Sequence, residues 1–233
     1  MKIKHAAGIL FAAGLCASSA SAAILINEFQ PNPPGGDPAV EFVELIATAG
    51  EVSFTGFWGS IEGDSTATSE VQNSGTIDVS FDVNGLATFD TGDIENPSFT
   101  FFISSVDYTG AAVIGDFDPG NILDALGITD VDSGDLLYGA ALGGADMAFT
   151  GTEPQNVFRD AATLDWYAVN TYGDTDLYDI NGIMIPNSSF NTDATAANTI
   201  GSTNPQVVPE PATYALILGA LGLGFVLFRR RRR

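Results

Sequence analysis

Between Thr76 and Val83 the chain alternates strictly, with Ile77, Val79, Phe81 and Val83 on one side and Asp78, Ser80 and Asp82 on the other. A period of two puts one face against a core and the other in water, which is the pattern of a half-buried strand. Runs rich in β-branched and aromatic residues predict further strands over 23–30, 40–47, 52–61, 99–106 and 164–171. Gly, Pro, Asn and Asp clusters at 31–38 and 90–97 separate them. The stretch 121–126 reads as one turn of helix. Several short strands with turns between them predict an all-β body, a sandwich or barrel. From 187 to 206 the chain becomes rich in Ser, Thr, Asn and Ala, which predicts a flexible linker.

Both ends break the pattern. Ala212 to Phe228 carries no ionisable group except the Tyr214 phenol. Its length is at the short end of the roughly 17–25 residues that cross a bilayer as a helix, so 212–228 is a predicted transmembrane span. Arg229, Arg230, Arg231, Arg232 and Arg233 follow it as a stop-transfer run that stays cytoplasmic. Pro209 and Pro211 keep the preceding residues extended. At the other end, Lys2 and Lys4 precede an apolar stretch, 6–17, and then Ala20-Ser21-Ala22. That order predicts a signal peptide over 1–22, cut between Ala22 and Ala23. Leu15 stands where a lipobox needs a small residue, so Cys16 reads as part of the apolar run.

Charge and composition then narrow the chemistry. All 29 acidic residues lie between Glu28 and Glu210, and from Ala23 to Val208 the one basic residue is Arg159. The chain's single His and single Cys fall in the signal peptide. Nucleic acid is excluded as a partner, because phosphates must be met by Lys and Arg. Ser-His-Asp and Cys-His nucleophile systems cannot be built. Carboxylate acid–base chemistry, as in glycoside hydrolysis, and oxygen-ligated calcium remain. Glu28, Glu41 and Glu44 are the acidic residues on adjacent strands, and a structural role outweighs catalysis for them. Asp116, Asp118, Asp130, Asp132 and Asp135 lie in two D-x-D-x-G-[DN] loops, candidates for calcium, although Asp and Gly also form ordinary turns. Trp58, Trp166 and Tyr167 could stack on sugar rings, but their positions in strands favour core packing.

Val208-Pro209-Glu210-Pro211-Ala212, the apolar span and the arginine run resemble, over 207–233, the PEP-CTERM tail of Gram-negative bacteria that make exopolysaccharide. The resemblance implies transient residence in the inner membrane, cleavage near Pro-Glu-Pro by an exosortase, and a final place at the cell surface or outside it. Ile24-Leu25-Ile26-Asn27-Glu28-Phe29, then Asn32-Pro33, Gly36-Asp37 and Glu41-Phe42-Val43-Glu44-Leu45, are similar to the opening of a lamin-tail domain. Val52 to Trp58 fits that family's next element, whereas Ile46-Ala47 departs from its usual Tyr-Asn. This second resemblance implies an immunoglobulin-like β-sandwich over 23–186 with no catalytic role. The combined expectation is a non-enzymatic surface or exopolysaccharide-associated protein without a cofactor, calcium aside. The alternative is a carbohydrate-binding module or a carboxylate-dependent glycoside hydrolase.

Overall fold

The structure, a computed structural model, describes residues 23–35, 40–48, 50–64, 69–92, 94, 98–130, 134–147 and 153–208, with 221, 223, 225 and 228–230 of the tail. Its strands are β1 (Ile24–Phe29), β2 (Phe42–Ala47), β3 (Ser53–Glu62), β4 (Val71–Ser80), β5 (Leu86–Asp90) and β6 (Phe99–Ser104). They continue with β7 (Ile122–Ile128), β8 (Ala145–Asp146), β9 (Asn156–Arg159), β10 (Trp166–Val169), β11 (Asp176–Asp179) and β12 (Met184–Pro186). Two sheets result: seven strands in the order β12-β11-β10-β9-β1-β2-β5, and five in the order β4-β3-β6-β7-β8. Among its described residues the body ahead of the tail is all-β, as the alternation predicts.

Alternation explains the core between the sheets. Ile26, Phe29, Val43 and Leu45 of the first sheet meet Trp58, Ile77, Phe101, Ile103 and Leu126 of the second. Both outer faces are also covered in part. On the five-stranded sheet, Ile61, Phe102 and Ala125 lie under Phe117 and Leu142 from the connecting loops. On the seven-stranded sheet, Phe158, Val169 and Leu177 lie under Phe190 and Ala194, with Val207 packed beside them. Covered faces remove apolar area from water at roughly 25 cal/mol per Å².

Three expectations change. The strand predicted over 76–83 ends at Ser80, and Val83 is 98% exposed at a turn. There Asp82 Oδ1 accepts from Asn84 N and Leu86 N, and Gly85 takes φ +76°. Turn chemistry thus overrides the alternation. Where a helical turn is expected at 121–126, Asn121 ends a 3-10 turn and 122–126 belong to strand β7, because β6 and β8 supply partners on both sides. Residues 187–206, expected as a flexible linker, fold back on the first sheet, burying Phe190, Ala194, Thr195 and Asn204. The Phe158, Val169 and Leu177 face draws the segment down.

Gly75 pairs with Trp58 across β3 and β4, and a Cβ there would lie 2.6 Å from Trp58 Nε1. The indole, stacked on Phe101 at 5.9 Å, has no room to withdraw. Gly75→Ala is expected to cost about 1–3 kcal/mol by overpacking, read as a lower Tm with altered tryptophan fluorescence.

Candidate functional site

The sole basic side chain of the body joins the two sheets. Arg159 Nη2 lies 2.8 Å from Asp124 Oδ2, a salt bridge between β9 of one sheet and β7 of the other, with both side chains nearly buried. Arg159 Nε donates to Ile26 O and Nη1 to Leu164 O, at 2.8 and 2.7 Å. Its guanidinium carbon sits 4.1 Å from the Trp166 ring centroid, a cation–π contact. Asp124 Oδ2 also accepts from Ile26 N at 2.9 Å. The reason lies in β1, whose register shifts between Ile26 and Glu28. Because β9 pairs with β1 at Glu28 and Phe29, beyond Ile26, side chains meet the Ile26 amide and carbonyl instead. Burial pushes the Asp124 carboxyl up from its usual value, and the Arg159 guanidinium leads the groups that oppose this.

A second polar cluster lies on the outer face of the first sheet. Glu28 and Glu44 are cross-strand partners in β1 and β2, and both are 0% exposed. Like charges so placed repel. The folded-back segment covers them and supplies donors. Glu28 Oε1 accepts from Thr199 N at 2.7 Å and Asn156 Nδ2 at 2.9 Å, and Thr199 Oγ1 lies 2.6 Å from Glu28 Oε2. Glu44 accepts from Asn27 Nδ2 at 2.6 Å and from Gly201 N at 2.5 Å. Asn204 completes the clamp, its Nδ2 donating to Asn27 O and Arg159 O. Burial raises both acids, Glu44 to about 7, while the Thr199 and Gly201 hydrogen bonds oppose it.

The other sequence candidates go elsewhere. Glu41 turns away from this pair, and its Oε2 accepts from Ile94 N. Asp116 accepts from Ala112 N and Val113 N, and Asp118 accepts from Gly120 N, so both cap short turns. Asp130 Oδ1 and Asp135 Oδ2 lie 3.1 and 2.6 Å from the Ser98 hydroxyl, and Asp135 also lies 2.6 Å from Thr129 Oγ1. Asp132 lies outside the described residues. Among the described residues no group of three or more acidic, His or Cys side chains gathers as a metal site. Trp58 and Trp166 are buried, and Tyr167 packs on Phe158 and Phe190. An open cleft is lined by Glu44, Asp78, Asp82, Leu86 and Gly201.

In the tail, Val208 is described, as are Leu221, Leu223, Phe225, Phe228, Arg229 and Arg230, all six helical and exposed. Residues 1–22, expected as a signal peptide ending at Ala22, the residues Pro209, Glu210 and Pro211, most of the expected span 212–228, and Arg231, Arg232 and Arg233 lie outside the described residues. Among the described residues no helix is long and apolar enough to cross a membrane. Residues 207–233 match the family model of the PEP-CTERM protein-sorting motif. The chain carries a PEP-CTERM sorting tail. That match begins at the last residues of the docked segment and does not extend into 23–186, the stretch expected to be a lamin-tail domain. No curated protein and no solved structure matches the chain.

Sequence reading missed Arg159, Asp124, Thr199 and Asn204. A signal for the first was present, since one cation within so acidic a body has to satisfy a specific need. Thr199 and Asn204 were hidden in a composition that reads as linker.

Proposed function

We propose that this PEP-CTERM protein is a non-enzymatic, secreted surface or exopolysaccharide-associated module, exported by the signal at 1–22. It is held briefly in the inner membrane by 212–228 and then cut by an exosortase. The observation that carries the reading is the sorting motif at 207–233, placed directly after a folded acidic body. The lamin-tail-like, immunoglobulin-like assignment of that body rests on the residues of β1, β2 and β3. Lack of a role in catalysis is supported by the Glu28 and Glu44 oxygens being occupied by donors of the chain itself. The negative charge keeps the released molecules soluble and apart.

The test is expression of the full chain in Gram-negative hosts with and without an exosortase. With the enzyme, protein lacking 1–22 and the tail is expected in the medium or surface fraction. Without it, uncut chain is expected in the membrane fraction. Intact chain in the cytosol of both hosts would sink the reading.

A further inference from the structure

A protease or transpeptidase takes its substrate as free, extended backbone, so a segment hydrogen-bonded into a fold must open locally before it is cut. Ahead of Pro209 the backbone is not free. Asn191 N donates to Gln206 O, and Gln206 N to Asn191 Oδ1, both at 2.9 Å. Phe190 and Val207 form a β-bridge, and Val207 N donates to the buried Asp160 carboxylate at 2.5 Å. Val208 N donates to Ser189 O at 2.8 Å. Behind these contacts, Thr199, Gly201 and Asn204 are fixed to Glu28, Glu44 and the β1 backbone.

We infer that the docked 187–208 segment fixes where the tail is removed: bonds upstream of Val208 are shielded by the fold, and the mature protein ends at Val208 or beyond. The inference rests on the proposed processing of the tail. In that step the C–N bond of one peptide breaks. The acyl carbon passes to water or an amine acceptor, which gives up a proton, and the freed amine of the departing tail takes that proton. A cut at or after Val208 leaves Phe190, Ala194 and Val207 in place over Phe158 and Leu177. A cut before Thr199 would strip the cover from two buried acids.

The C-terminus of the protein released from the exosortase-bearing host is mapped by mass spectrometry. An end at Val208 or later is expected. An end at Val207 or earlier overturns the inference and leaves processing standing. Released protein that still carries the arginine run overturns the processing reading itself. As a second measurement, full-length chain in detergent is digested briefly with proteinase K. Wild type is expected to lose its tail and resist upstream of Val208. Thr199→Val, which removes the hydroxyl between Glu28 and Asn204, is expected to be cut within 187–208 roughly tenfold faster. Thr199→Ser restores that hydroxyl and should return the wild-type pattern. Equal cutting of all three within 187–208 overturns the inference.

Discussion

Arg159→Met is expected to destabilise the folded domain by about 3–5 kcal/mol, the range for stranding one member of a buried ion pair. For a domain of this size the Tm should fall by about 10 °C. The variant leaves Asp124, nearly buried, without its cation, in a body with no other basic residue. It also leaves the carbonyls of Ile26 and Leu164 without their donors. Leu164 adopts φ +64°, a left-handed conformation that a leucine holds only when its surroundings fix it. The bond from Arg159 to its carbonyl is part of that restraint.

An apolar replacement of both partners separates charge from geometry. In general such replacements of buried pairs are neutral or stabilising. Here Arg159→Met with Asp124→Leu should recover part of the loss and no more. Both backbone groups of Ile26, at the register shift in β1, would then be unpaired. Thermal unfolding of the singles and the double gives the coupling directly. Full recovery in the double would show that the pair matters through charge and not as the partner of that irregular strand.

The contrast between these sites and the rest of the fold shows what local sequence can carry. β1, β2, β3 and β6 were legible because their burial alternates or runs apolar, and the core residues on them follow the expected parity. β7 was not, because Leu, Asp and Ala are as compatible with helix as with strand, and the partners that decide it are distant in sequence. The docked segment failed for a different reason. Ser, Thr and Asn are the composition of a flexible linker, yet they also cap turns and bond to backbone. Asn187 shows this, its Oδ1 accepting from Ala194 N and its Nδ2 donating to Asp193 and Thr195. Nothing local distinguishes the two uses. The apolar outer face beneath decides between them, and Phe158 and Leu177 lie on strands that the pattern did not predict, whereas Val169 lies in the predicted stretch 164–171. The sorting tail was legible as a whole because its order of elements is a covalent pattern and needs no partner.

The acid pair beneath that segment leads to the second large effect, in the pH dependence of stability. Asn204 Nδ2 donates to two carbonyls, which fixes its Oδ1 as the atom 2.7 Å from the Thr199 hydroxyl. The same hydroxyl lies 2.6 Å from Glu28 Oε2. One hydrogen cannot serve two acceptors. The chain of bonds closes if Glu28 is the neutral acid, donating to Thr199, which donates to Asn204. Burial raises Glu28, and raises Glu44 from 4.5 to about 7, so the folded state binds protons that the unfolded state releases. Stability is then full below the unfolded value and declines as pH rises towards the folded one. Wild-type Tm is expected to be about 5–10 °C lower at pH 8 than at pH 5. Glu28→Gln reproduces the neutral acid: its amide donates to Thr199 and its carbonyl accepts from Thr199 N and Asn156. It should match wild type at pH 5, exceed it at pH 8, and flatten the slope between them. Glu44→Gln should cost about 1–3 kcal/mol at pH 5, because its amide would face a donor at either Asn27 Nδ2 or Gly201 N. Removing an exposed charge, as in Asp90→Asn, should change little at either pH. Loss of 2 kcal/mol or more in Glu28→Gln at pH 5 would mean that Glu28 is ionised there, and the proton would have to be sought on Glu44.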